Sequence, residues 1–339
     1  MRNLGALLSI ALTGAVLALA PALAQTKPGE QDASNAAGAP AQSSLVVGAL
    51  QIASDANLVV AGFDINIASD KIVYSYFLKN TGPTQLELAA AVSLPELHAS
   101  SDGGETWALA SNDPENPVSL AITAAGAPIA TKAEMRAYAL GVDRLAEIKA
   151  EHLPLIPFGP EIDKALVALS PEALDRLAAL GVISPRDPAQ PKIPVAADWS
   201  LDVVQNWRLA MPPGKTTPVV VKFAPIKAEY RLAKGGEQDL DDMKDEVCLT
   251  PQTLSALRAR LKGANALKVT DISLADDPPT RWLDNPTPTL SVQKPQPDAI
   301  VAFCGMDEKS AGRPTVLGSA PSDDESKQIR IVIFEPVAK

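Results

Sequence analysis

Cys248 and Cys304 are the only cysteines in the chain, and His98 and His152 the only histidines. Thiol and imidazole chemistry therefore have four side chains to draw on. The two cysteines stand 56 residues apart, with no Cys-x-x-Cys spacing. In an exported protein two such cysteines normally pair, and closing a loop of that length stabilises by roughly 4 kcal/mol on the chain-entropy account. The alternative, a reactive redox pair, lacks the close spacing that lowers a thiol's pKa. His98 is followed by Asp102 and Glu105, which on paper make a mixed nitrogen and oxygen metal site. Zinc spacing is absent, and Gly103-Gly104 between the acids reads as a turn, so the expectation is a solvated polar loop. His152 falls beside a helix end before Leu153-Pro154, where it complements the carbonyl dipole.

Other chemistry is thinner still. No Gly-x-Ser-x-Gly or similar nucleophile motif stands beside either histidine, so a serine or cysteine hydrolase has little support. Asp239, Asp241, Asp242, Asp245 and Glu246 are dense enough for calcium, but DLDDMKDEV lacks the glycine and terminal glutamate of an EF-hand loop; it reads as a solvated linker. Gly103-Gly104 and Gly235-Gly236 are isolated pairs in polar turns and not a phosphate-binding loop. Trp107 and Trp282 sit in loop-like stretches and either form a recognition surface or pack over the end of a sheet. No catalytic, cofactor-binding or metal-ligating residue is assigned, no cofactor is expected, and the binding residues are left open. Cys248 and Cys304, as a disulfide, are the one expected site.

The elements that would position these groups are mostly strands. From Ile65 to Pro95, Ile72, Tyr74, Tyr76 and Leu78 alternate, then Leu86, Leu88, Ala90, Val92 and Leu94 do the same across an Asn80-Thr81-Gly82-Pro83 turn. The pattern reads as a long hairpin with one apolar face. Ahead of it, residues 45–52 and 58–67 are β-branched-rich runs that most simply pair with each other across Ser54 to Asn57. Residues 98–117 read as a long loop, and 118–140 as a hairpin rather than a helix opened by Thr131 and Glu134. Trp199, Leu201, Val203, Trp207 and Leu209, then Val219, Val221 and Phe223 after Met211-Pro212-Pro213-Gly214, read as a second long hairpin.

Helices are expected in three places. Asp143 caps a short one to about Glu151, and Leu153-Pro154 through Phe158-Gly159-Pro160 breaks it. Ser170 at the N-cap, Pro171 at the first position and Gly181 past the end frame a second. Thr250 and Pro251 open a third, with Leu254, Leu257 and Leu261 in phase and Gly263 closing it. Short strands follow at 267–274, 289–293, 299–303 and 329–334.

Composition bounds the rest. Thirty basic against 40 acidic residues give a net charge of −10, which repels phosphate backbones and argues against nucleic acid as a partner. Residues 1–24 read as a signal peptide: Arg2, an apolar stretch from Leu4 to Leu19, and Ala22-Leu23-Ala24 before Gln25. Residues 25–44 are small, polar and aperiodic, and read as a disordered leader. No later stretch is apolar enough for a membrane span, so the expected product is exported, periplasmic or secreted, and not an integral membrane protein.

The order of IVYSYFLKNTG, AVSLP, LPLIPFG, WRLAMPPGKTTPVVVKFAP, Cys248-Leu249 and Phe303-Cys304-Gly305 resembles the secreted bacterial family catalogued as domain of unknown function 4424. The resemblance covers nearly all of the chain after residue 24. It implies export and a β-rich build, and it brings no catalytic residues to carry over.

The expected fold is mainly β with α+β character. A β-sandwich over 45–232 carries a helical insertion at about 141–182, an acidic linker spans 233–247, and a smaller disulfide-closed α+β domain spans 248–339. The leading functional expectation is a non-enzymatic binding or interaction module whose partner is an envelope protein or glycan. Two alternatives stand beside it: a carboxylate-dependent hydrolase acting on cell-envelope polymers, which needs two carboxylates about 5–10 Å apart in a closed cleft, and a metal-stabilised structural module.

Overall fold

The computed structural model describes residues 46–99, 109–185, 195–263, 266–275, 289–319 and 328–337. The expected signal peptide and leader, and with them Asp102, Glu105, Gly103, Gly104, Trp107 and Trp282, lie outside the described residues. In chain order the elements begin β1 (Gln51–Ile52), β2 (Leu58–Ala68), β3 (Lys71–Asn80), β4 (Leu86–Ser93), β5 (Leu97–His98), β6 (Ala121–Ala124), β7 (Ala127–Pro128), β8 (Lys132–Ala139) and β9 (Val142–Asp143). Three helices follow, α1 (Leu145–Ala150), α2 (Pro160–Val167) and α3 (Pro171–Ala179), then β10 (Ser200–Met211), β11 (Thr216–Phe223) and β12 (Lys227–Ala233). The chain continues with α4 (Glu237–Glu246), α5 (Pro251–Gly263), β13 (Ala266–Ala275), β14 (Thr289–Gln293), β15 (Ile300–Ala302), β16 (Thr315–Ser319) and β17 (Gln328–Pro336).

The fold is mainly β. One sheet runs β1-β4-β10-β8-β9 with β5 also on β10, a second runs β16-β14-β2-β3-β11-β6-β7, and a third runs β12-β13-β17-β15. Alternation explains the first two. Tyr74, Tyr76 and Leu78 of the second sheet and Leu88, Val92, Leu201, Val203 and Leu209 of the first are buried in one apolar cluster, so the two sheets pack face to face as a sandwich. Within that core the Tyr76 hydroxyl oxygen accepts from the Leu50 N–H at 3.2 Å and so holds the incoming chain.

The strands pair differently from the sequence reading. β3 and β4 do not form a hairpin: β3 pairs with β2 and β11, whereas β4 pairs with β1 and β10. β10 and β11 likewise lie in different sheets. Each expected hairpin is an arch that crosses the sandwich, its two arms offering their apolar faces to each other. Residues 45–52 and 58–67 do not pair either, since β1 joins β4 and β2 joins β3 through a two-residue turn after Ala68. The first residue of the expected loop 98–117, His98, instead belongs with Leu97 to the short strand β5 against β10. The 118–140 segment is in strands, as expected, but not as one hairpin: β6 and β7 pair in the second sheet and β8 joins the first, with Leu140 and Gly141 both at positive φ in the tight turn from β8 to β9, the backbone that a two-residue turn joining right-twisted strands requires.

Two expected boundaries also move. The acidic stretch 233–247 is not a linker: Leu240 and Met243, three apart, give it a buried stripe, and it forms α4. The final third of the chain is not a separate block, because β14 pairs in parallel with β2 and carries β16 into the second sandwich sheet. The central strands of the third sheet, β13 and β17, are buried on both faces. Ile272, Leu274, Ile329, Ile331 and Ile333 join the sandwich core, and Leu267, Val269, Val332 and Phe334 form a second core with α4 and α5. A strand covered on both sides reads as a continuous apolar run, which is why Ile329 to Phe334 shows little alternation.

A cleft between the helical insertion and the 109–120 loop

α1 ends in a Schellman turn. The Leu153 N–H donates to the Ile148 carbonyl at 3.2 Å and the His152 N–H to the Lys149 carbonyl at 3.0 Å, with His152 at φ 55°. That is the left-handed position usually taken by glycine. His152 thus serves the helix end through its backbone, and its side chain is left exposed. The following residues run Leu153-Pro154-Leu155-Ile156-Pro157-Phe158, with Leu153 and Leu155 buried. The Leu155 carbonyl accepts the indole N–H of Trp199 at 2.9 Å, so the first residue before β10 fixes this segment to the sandwich.

Gly159 then takes φ 95° and ψ 171°, a conformation essentially restricted to glycine, and Pro160 opens α2 with Glu161 and Asp163 in the first turn. The sequence reading used Phe158-Gly159-Pro160 only as a break and missed α2. The signal was present: proline at the first helical position, early acids, and Ile162 and Leu166 four apart, both buried. α3 starts as expected, with Ser170 Oγ accepting from the Ala173 N–H at 3.2 Å. Arg176 of α3 pairs with Glu151 at the end of α1, and Ile183 bridges to Ala197 to close the insertion at its base.

Opposite this segment lies the loop 109–120, held by its own side chains. Asn116 accepts from the Leu120 N–H at 2.6 Å and donates to the Leu120 carbonyl at 3.1 Å. Gln205 of β10 donates to the Glu115 carbonyl at 2.6 Å and accepts from the Thr131 hydroxyl at 2.6 Å. Gln205 is buried among apolar neighbours, so these bonds are what make its burial tolerable. Between the two segments is a cleft of about 510 Å³, walled by Leu109, Asn112 and Pro114 on one side and by residues 152–156 and 158–161 on the other. Pro114, Pro154 and Pro160 stiffen it, and Phe158 supplies an aromatic ring. His152 and Glu161 are the titratable groups among its described lining residues.

The other sequence candidates are placed elsewhere. Cys248 and Cys304 come to disulfide distance, with Cα atoms 5.0 Å apart, at the end of α4 and just past β15. His98 lies on β5, opposite Ser200. Asp241 accepts from Arg258 of α5 at 2.6 and 2.7 Å, Asp242 accepts from Gln238 at 2.9 Å, and Glu246 pairs with Arg330. Arg330 also holds Asp271 at 2.5 Å, the two forming a largely buried pair beneath α4. No group of three or more His, Cys, Asp or Glu side chains that could hold a metal occurs among the described residues. One carboxylate stands out on the open face of the first sheet. Partial burial, helped by Glu96 nearby and opposed by Arg136, raises the pKa of Asp202.

With that geometry in hand, the chain can be compared with known proteins. A family model described as "Domain of unknown function (DUF4424)" matches residues 41–320. The chain belongs to this family. The matched span contains both sandwich sheets, the helical insertion with its cleft, and Cys248 and Cys304. No curated protein matches the sequence. Among solved structures, the chain is similar to a Legionella pneumophila protein described as a "putative nutrient binding protein", at 9% identity and a TM-score of 0.39, covering 86% of this chain and 72% of that one. No helix among the described residues is long and apolar enough to cross a membrane.

Proposed function

We propose that the protein is an exported binding module of the bacterial cell envelope, holding a small ligand in the cleft between residues 109–114 and 152–161. The cleft itself carries this reading: its volume of about 510 Å³ falls in the range of small-molecule sites, and its walls are already held in place. Gln205 ties down one wall and Trp199 the other, so binding costs little ordering of the protein. The surface offered is an apolar ridge of Pro154, Ile156 and Phe158 with a few polar groups, Asn112, His152 and Glu161, at its margin. That pairing suits a ligand with an apolar body and a polar end. Export rests on the first 24 residues of the sequence and fits a chain whose two cysteines stand at disulfide distance.

The hydrolase reading keeps one observation in its favour. Burial, helped by Glu96 nearby, raises the pKa of Asp202, and a carboxyl held protonated by its surroundings is what a general acid needs. Asp202 on β10 and Glu96 just before β5 both lie away from the cleft, where Glu161 is the one carboxylate among the described lining residues.

The test is ligand capture. Purified protein is incubated with small-molecule fractions of the bacterial envelope, desalted and examined by native mass spectrometry. A discrete adduct is expected, and Asn112→Trp, which fills the cleft from an exposed loop position, should abolish it without lowering the melting temperature. Absence of any adduct across the fractions, or an adduct indifferent to Asn112→Trp, overturns the assignment.

A further inference from the structure

The first sandwich sheet turns one face to the core and leaves the other open. On that open face the register aligns Gln51 of β1, Ala91 of β4, Asn206 of β10 and Lys132 of β8 in one row, and Ala89 and Arg208 in the next. Neighbouring strands are about 4.8 Å apart, so the row is roughly 14 Å across. Ala89 and Ala91 leave its middle low while Gln51 stands on one side and Asn206, Arg208 and Lys132 on the other. The result is a trough of about 650 Å³.

The charge in this trough runs against that of the whole chain, which is −10. Arg208 and Lys132 are exposed, and neither has an ion-pair or hydrogen-bond partner among the described residues. Arg144, Arg176, Arg258 and Arg330, by contrast, are each paired with a carboxylate. The register makes Arg208 and Lys132 diagonal neighbours, roughly 7–8 Å apart at the backbone, close enough to share one anionic group. Of the acids on the same face, Glu87 stands toward one end and Glu134 and Asp202 toward the other, and none of the three lines the trough. At 207, β10 has run past the start of β8. Trp207 borders the trough there, and its buried indole N–H has no hydrogen-bond partner among the described residues.

The geometry points to a second binding site on this sheet face, for a small organic anion with a polar body. Arg208 and Lys132 take the charged end through charge-assisted hydrogen bonds, and the hydroxyl or amide groups of the body lie over Ala89 and Ala91 toward Asn206 and Gln51. A carboxylate and a phosphate satisfy the same cations, so the charged end is either a sugar acid's or a sugar phosphate's. The site shares no residue with the cleft and stands or falls independently of it.

The experiment uses the full chain with ¹⁵N-labelled tryptophan, titrated at low salt with glucuronate, glucose 1-phosphate and, as the uncharged control, glucose. The Trp207 indole resonance should shift saturably with at least one of the two anions and stay in place with glucose. Which anion binds more tightly identifies the charged end. Arg208→Gln and Lys132→Gln are surface changes that leave folding intact; each should weaken binding about tenfold or more, and Asn112→Trp should leave it unchanged. No saturable shift with either anion, a shift with glucose alone, or binding that persists in the Arg208→Gln, Lys132→Gln double variant overturns the proposal.

Discussion

Asn80 is fully buried, and every polar atom of its side chain is used. Its amide donates to the Thr84 carbonyl at 2.8 Å and to the Met211 carbonyl at 3.0 Å, and its oxygen accepts from the Gly82 N–H at 2.9 Å. Its own backbone N–H donates to the Lys215 carbonyl at 3.0 Å. The residue therefore closes the first arch and fastens it to the second. Removing one partner of a buried hydrogen bond leaves the other unsatisfied, at about 1–3 kcal/mol for each group. Asn80→Ala should cost about 2–4 kcal/mol of unfolding free energy, read from denaturant titration. Asn80→Asp should cost at least as much at pH 7, where a carboxylate would face two carbonyls. It should recover part of that loss near pH 4, because protonation restores a donor. A loss below about 0.5 kcal/mol for both variants would mean the arches do not depend on this side chain. The sequence shows Asn80 as the first residue of a turn, which is correct but incomplete: nothing local reveals that Met211, 131 positions away, is its partner.

Among elements, the strands themselves were legible and their partners were not. Alternation with period two states which residues share a face, and those faces are the ones buried in the core. A hairpin and an arch share that alternation, however, so the pattern from Ile72 to Leu94 cannot tell β3 pairing with β4 from β3 facing β4 across a sandwich. The helix signals split the same way. Ser170, Pro171 and Gly181 frame α3 and Thr250 and Pro251 open α5, because caps are local chemistry. α4 was read as a linker because its charge outweighs two buried residues, Leu240 and Met243, whose value depends on a sheet far off in sequence. The pair Cys248 and Cys304 joins the end of α4 to the strand layer beneath it, and Cys248 holds φ 51°, where glycine is usual. Thiol titration of the oxidised protein under denaturing, non-reducing conditions should find no free thiol. Replacing both cysteines by alanine should lower stability by roughly 4 kcal/mol. Two free thiols, or a double variant as stable as the parent, would refute the bond or its contribution.

At the scale of the molecule, the chain spends its best-specified residues on packing. Two arches set side by side make the sandwich, a third sheet closes one flank under α4 and α5, and the segments left over at the surface form the cleft. The cleft was only partly visible in the sequence. Leu153 to Gly159 was recognisable as a break and as part of the family's pattern, but its opposite wall, residues 109–114, is brought up by Gln205 from β10. Such long-range tethers carry no local signature. Loops held on a rigid scaffold are where binding residues concentrate, and in the described cleft apolar and proline residues outnumber groups able to transfer a proton. The role proposed for this cleft is therefore to bind a ligand and leave it unchanged. The most direct test is the mass of the captured ligand after prolonged incubation with the protein at neutral pH. One equivalent per chain recovered at its original mass is the predicted result. Recovery as fragments that together have gained one water would contradict it and return the carboxylates to the centre of the argument.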